Sequence, residues 1–131
     1  MRGLDTNVLL RYLIQDDLSQ GQIADAYIRQ GIEASETFFI NNIVLCEMVW
    51  VLRRAYKFTR EQVIAALEQI LQGSQFQFED KGAVHGAIQQ MKTGQGDFSD
   101  YLIGKINQQM GCQETATFDR KLQEAKGFKQ L

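Results

Sequence analysis

The stretch from Met1 to Tyr12 constrains this chain more than any other. A short apolar run breaks off at an acid, Asp5. Two polar residues follow, Thr6 and Asn7, and an apolar segment with helical spacing opens at Val8. That order reads as a β-strand feeding an α-helix, with Asp5 at the strand's carboxyl end. In parallel α/β sheets ligands bind at that end. A carboxylate there, with Thr6 and Asn7 as hydrogen-bonding neighbours, is a candidate metal ligand or catalytic group. Aspartate also serves such a place as a turn former or helix N-cap. The position therefore gains functional meaning only if other acids recur in the same setting.

The same alternation runs to the end of the chain. Val8 to Ile14 reads as a short helix. Asp16-Asp17 can cap a second, with Ile23, Ala24, Tyr27 and Ile28 at helical spacing and Gly31 and Ser35 at its end. Thr37 to Ile40 is a β-prone run. Asn41-Asn42 then caps a helix whose Val44, Leu45, Met48, Val49 and Leu52 share one face. Thr59 and Gln62 form a capping box that opens a helix through Leu71, closed by Gly73. Phe76-Gln77-Phe78 is a third strand, Ala83 to Met91 a helix and Thr93 to Gly96 a loop. Asp97 to Asp100 caps a further helix, stopped at Gly111. Glu114 to Thr117 is a fourth strand that delivers Phe118-Asp119. A short helix through Leu122 and an edge segment at Phe128–Leu131 complete the order. Strands alternating with helices predict an α/β protein with a central, mainly parallel sheet covered on both faces, a three-layer α/β/α arrangement. No repeat, low-complexity tract or linker divides the 131 residues, so one domain spanning 1–131 is expected.

No apolar run approaches the ~20 residues of a membrane helix, and no basic-then-apolar leader precedes Asp5. A cytoplasmic protein is expected. Cys46 and Cys112 lack metal-ligand or redox spacing and read as small, mostly buried hydrophobes. The net charge of −2 declares no large basic surface, yet setting aside Asp5, Glu47, Asp97, Asp100 and Asp119 leaves +3 on the remainder. A mildly basic body around an acidic cleft suits a metal-dependent site acting on a polyanion.

Asp119 repeats the setting of Asp5, the first acid after a β-prone run, and parallel strands would present both along one rim. Glu47 falls outside the apolar arc of its helix although Leu45, Cys46, Met48 and Val49 surround it. Its other reading is an exposed helix residue. Asp97 and Asp100 stand at a helix N-terminus, where the macrodipole favours a carboxylate whatever its task. Carboxylates gathered at one place repel by about 1 kcal/mol per pair in water at 4 Å, and by about 4 at an effective dielectric of 20. A fold that collects several of them needs a cation. All-oxygen ligands select hard ions, so Mg²⁺ or Mn²⁺ is expected.

Four segments carry a family resemblance: Leu4-Asp5-Thr6-Asn7-Val8-Leu9, Cys46 through Leu52, Asp97-Phe98-Ser99-Asp100-Tyr101-Leu102-Ile103, and Thr117-Phe118-Asp119-Arg120. In this order, over essentially the whole chain, they resemble the motifs of PIN-domain ribonucleases, most closely the VapC-type toxins of bacterial toxin–antitoxin pairs. The resemblance implies catalytic, metal-holding acids at Asp5, Glu47, Asp100 and Asp119, with Asp97 as an accessory acid. Thr6 and Thr117 match polar residues that support the metal's water shell, and Gly104 would keep the cleft roomy. It also implies endoribonuclease action on structured RNA, a homodimer, and a small antitoxin as partner.

Other residues bear on partners. Arg53, Arg54, Lys57 and Arg60, interleaved with Tyr56 and Phe58, can meet RNA phosphates and stack a base, or offset a helix C-terminus. Arg11, Lys105, Arg120 and Lys121 flank the acidic motifs as solvated charge, Arg11 being a further candidate RNA contact. Trp50 lies opposite its helix's apolar arc and suggests an interface. His85, the sole histidine, lies far from every acid, so catalysis would rest on metal-activated water. Two alternatives stand beside the ribonuclease reading. One is a catalytically silent PIN-like module that binds RNA or protein. The other is a Mg²⁺-dependent phosphoryl-transfer domain, which would want a lysine at a strand end that the sequence lacks.

Overall fold

Five short strands and six helices alternate along the chain, and each helix begins where the sequence places a capping side chain. The structure is a computed structural model that describes residues 1–131. They form two compact units, 1–79 and 80–131. No helix is long and apolar enough to cross a membrane.

The first unit runs β1 (Arg2–Gly3), α1 (Thr6–Leu13), α2 (Leu18–Glu33), β2 (Phe38–Ile40), α3 (Asn42–Arg54), α4 (Arg60–Gln72) and β3 (Phe76–Phe78). Asp5 caps α1, accepting from Thr6 N–H at 2.6 Å. Asp17 caps α2 through Gln20 N–H and Asn41 caps α3 through Val44 N–H, both at 2.9 Å. Thr59 and Gln62 exchange the two bonds of a capping box at the head of α4. Each such cap stabilises its helix by about 1 kcal/mol. The strands form a parallel sheet in the order β1-β2-β3, with Arg2 opposite Phe38 and Phe38 opposite Phe76. Phe38 and Ile40 of the central strand are wholly buried, as are Leu9 of α1, Met48 of α3 and Val63 of α4. All five residues of the expected apolar face of α3 are in the core.

Two details of α2 depart from expectation. Gly31 does not end the helix, which runs on to Glu33 and turns at Ser35 with φ of 60°. Gly31 is buried because the ring of Phe38 lies on it; a Cβ there would stand 2.3 Å from Phe38 Cζ. Its role is close approach, which spacing alone does not distinguish from termination. Of the four expected core positions, Ala24 and Ile28 are buried, whereas Ile23 and Tyr27 are exposed.

The second unit runs α5 (Lys81–Thr93), α6 (Phe98–Gln109), β4 (Thr115–Thr117), a 3-10 turn (Arg120–Leu122) and β5 (Phe128–Gln130). Asp80 caps α5 through Ala83 N–H at 2.9 Å. The helices pack through Val84, Ala87 and Ile88 of α5 and Phe98, Tyr101 and Leu102 of α6, all buried. Strands β4 and β5 are parallel, Thr115 opposite Phe128 and Thr117 opposite Gln130. Gly104 does not leave open room. A Cβ there would meet Phe128 Cζ at 2.7 Å, so the phenyl ring occupies the space the missing side chain vacates. Cys46 is half-buried, but Cys112 lies exposed just beyond the end of α6, against the expectation that both are buried.

Candidate functional site

The first unit carries Asp5 and Glu47. Asp5 follows β1 and Leu4, whose N–H still donates to Phe39 O in the ladder direction at 3.1 Å. One oxygen of Asp5 is committed to the N-terminus of α1, and the side chain is otherwise exposed. Thr6 is the one polar residue in the buried core, at 6% exposure. Its hydroxyl donates to Glu47 Oε1 at 3.3 Å, which ties the head of α1 to the outer face of α3. Glu47 is itself exposed, as its position off the apolar arc predicts. Asn7 is exposed in the first turn of α1.

The second unit carries Asp97, Asp100, Thr117 and Asp119. Asp97 is the N-cap residue of α6, and its N–H donates to Asp100 Oδ2 at 2.9 Å. The helix head is fixed by its neighbours. Phe98 and Tyr101 are buried, and Tyr101 OH accepts from Gly96 N–H at 2.8 Å. Asp100 therefore projects from a pinned turn. Partial burial pushes its carboxyl above the ordinary value. The bond from Asp97 N–H opposes this, the charges of Asp97 and Asp119 add to it, and the ammonium of Lys121 offsets it in part. Asp119 ends β4. Its N–H donates to Thr117 Oγ1 at 3.0 Å, and its Oδ1 accepts from Lys121 N–H at 2.9 Å. Asp100 thus feels the charge of both Asp97 and Asp119.

The donor set is carboxylates and hydroxyls, with His85 exposed and remote in sequence, which suits a hard divalent ion and not zinc. Within either unit, no three acidic, histidine or cysteine side chains reach a common point at metal-binding distance. Strand pairing also gives Asp5 and Asp119 different sheet partners, since β1 pairs with β2 and β4 with β5.

The five candidate RNA-contacting cations fall into two kinds. Arg11 is engaged within the fold. Its Nε donates to Gln20 Oε1 at 2.7 Å, its Nη1 to Tyr56 OH at 3.3 Å, and it pairs with Asp16 at 3.6 Å. Arg53, Arg54, Lys57 and Arg60 crowd the turn from α3 to α4. There Arg53 Nη1 donates to Phe58 O at 3.4 Å, and Lys57 adopts a left-handed backbone with φ of 57°. Trp50 is 62% exposed with Arg54 over its ring at 5.3 Å, and Ile43, two turns earlier on α3, is also exposed. Sequence alone assigned Tyr101 no anchoring role and read Lys121 only as solvated charge. The signal for Lys121 was present, two residues past an acid at a strand end.

Comparison with known proteins matches residues 4–127 to the PIN domain family. The chain is also similar to a VapC ribonuclease of Aquifex aeolicus (strain VF5), 30% identical over 129 residues, covering 98% of this chain and 94% of that protein. The four acid-bearing segments, the parallel strands alternating with helices and these two matches lead to one assignment: the chain belongs to the PIN-domain family, of the VapC type.

Proposed function

We propose that the chain is a metal-dependent endoribonuclease, the toxin of a toxin–antitoxin pair, acting on structured RNA in the cytoplasm as one PIN domain. One observation carries the reading. The chain keeps an acid at each position that the resemblance assigns to the site, Asp5, Glu47, Asp100 and Asp119, and none of the four is consumed by an ion pair. A silent binding module has no need of that set.

In this proposal Asp5, Glu47, Asp100 and Asp119 hold Mg²⁺ or Mn²⁺, with Asp97 accessory. The bound ion would lower the pKa of water and offset charge on the phosphoryl oxygens. The chain's own part is positioning. Thr6 orients Glu47 by its hydroxyl bond, Thr117 fixes the turn that presents Asp119, and Tyr101 anchors the helix head that presents Asp100. Partial burial and the charges of Asp97 and Asp119 hold the Asp100 proton more tightly than in a free aspartate when no cation is near. The exposed face of α3, with Ile43 and Trp50 on either side of Glu47, is assigned to a protein partner, a second copy of the chain or the antitoxin.

The test is incubation of the purified protein with total RNA and Mg²⁺ or Mn²⁺, beside Asp5→Asn and Asp100→Asn. Cleavage by the wild type that chelator abolishes, and that both variants lack, is expected. Equal cleavage by all three proteins would mark a contaminant and remove the enzyme claim.

A further inference from the structure

Lys105, Arg120 and Lys121, which read as solvated charge in the sequence, line a groove in the second unit together with Lys126. A hollow of about 560 Å³ is bordered by Arg120, Lys121 and Lys126 and by the amides of Gln90, Gln95 and Gln123. A hollow of about 320 Å³ adjoins it, sharing Gln90 and Lys126 and adding Lys105 and Gln108. Four cations border the pair of hollows against two acids, Glu114 and Glu124. None of the four takes part in any of the chain's ion pairs. Gathered like charges repel, as the acids do, and the arrangement invites an anion.

The layout discriminates among anions. A single phosphate would be served by cations converging on one point. Here they are strung across two consecutive hollows, which fits a chain of charges. The amides between them both donate and accept, so they suit ribose hydroxyls and base edges. One end of the groove abuts a motif acid, since Lys121 N–H is held by Asp119 Oδ1 at 2.9 Å.

We propose that this groove carries the phosphate backbone of the RNA on one side of the cleaved bond, with Lys121, Arg120, Lys126 and Lys105 meeting phosphates along it. The inference rests on the ribonuclease reading above. It moves the RNA-contacting role from the α3–α4 turn to the segment after Asp119.

The test uses a fluorescent single-stranded oligoribonucleotide, with binding followed by anisotropy against KCl in the Asp100→Asn background, where the strand stays intact. Each phosphate contact adds ~0.7 to the slope of log affinity against log salt for single strands. Arg120→Gln with Lys126→Gln should therefore flatten the slope by about 1.4. In the otherwise wild-type enzyme the same pair should weaken cleavage through KM rather than kcat. Lys126→Arg in place of Lys126→Gln should recover about half of that loss, ~0.7, and Lys81→Gln, exposed and outside the groove, should leave the slope alone. Melts followed by circular dichroism verify that each variant is folded. An unchanged slope in the double variant, or an equal loss from Lys81→Gln, overturns the proposal. If the wild type cuts no RNA while the slope responds as expected, the ribonuclease reading fails and the groove stands. If cleavage is sound and the slope is unmoved, the groove alone fails.

Discussion

Asp100 sits where two demands on a carboxylate oppose each other. Its hydrogen bond from Asp97 N–H favours the charged form, while its partial burial and the charges of Asp97 and Asp119 disfavour it, and the second group wins. The folded protein therefore holds this proton more tightly than the unfolded chain, whose aspartates titrate near ~3.9. Between that value and the raised one the native state binds more protons, so stability falls as pH rises through the window and stays lower above it. In metal-free buffer, Asp100→Asn should remove that fall and leave the midpoint at pH 7 equal to or above the wild type's, because asparagine can still accept from Asp97 N–H. Thermal melts from pH 3 to 7 read this directly. A lower midpoint across the range would mean that the carboxylate serves α6 as a cap and nothing more. Asp5 differs: its oxygen accepts from Thr6 N–H, and asparagine caps as well as aspartate. Asp5→Asn is thus a clean removal of charge.

At the scale of elements the helices were legible and their ends nearly so, because capping chemistry is local. Asp17, Asn41 and Thr59 each announce the helix that begins at the next residue, and each accepts from the N–H three residues on. What stayed hidden was long-range. Glycine at 31 and at 104 looks the same in sequence as a helix stop or an empty place, and only the fold brings Phe38 and Phe128 against them. The same holds for Ile23 and Tyr27: helical spacing put them with Ala24 and Ile28, yet only the latter two are covered. The groove cations were invisible for a related reason. Lys105, Arg120 and Lys126 share no period, and the segment between β4 and β5 carries the last two to hollows that Lys105 of α6 also borders. Gly31→Ala tests the close approach. Helix propensity alone would favour alanine by up to about 1 kcal/mol. A methyl 2.3 Å from a wholly buried ring forces a shift costing ~1–3 kcal/mol. A net loss of roughly 1 kcal/mol in urea unfolding is expected, with the m-value unchanged. A gain would show that Phe38 yields freely.

For the molecule as a whole, the net charge of −2 conceals a division of labour. The five acids assigned to the proposed site leave a remainder of +3, the balance the proposal asks of a protein that takes both a divalent cation and a polyanion. Linkage turns the first half of this into a measurement. An ion bound only by the folded chain stabilises it, by about 2.7 kcal/mol at a hundredfold excess over its Kd. Mg²⁺ or Mn²⁺ should therefore raise the wild-type Tm in differential scanning calorimetry and do so far less for Asp5→Asn and Asp100→Asn. Equal shifts in all three would locate the ion elsewhere. One modest feature gives the experimenter a handle on the second half. Burial raises the Cys46 thiol and so slows its attack on alkylating reagents, whereas Cys112 stands open at the border of the smaller hollow. A maleimide dye should thus attach at a single place without any engineering. Its emission would then report, in real time, the arrival and departure of whatever occupies that channel.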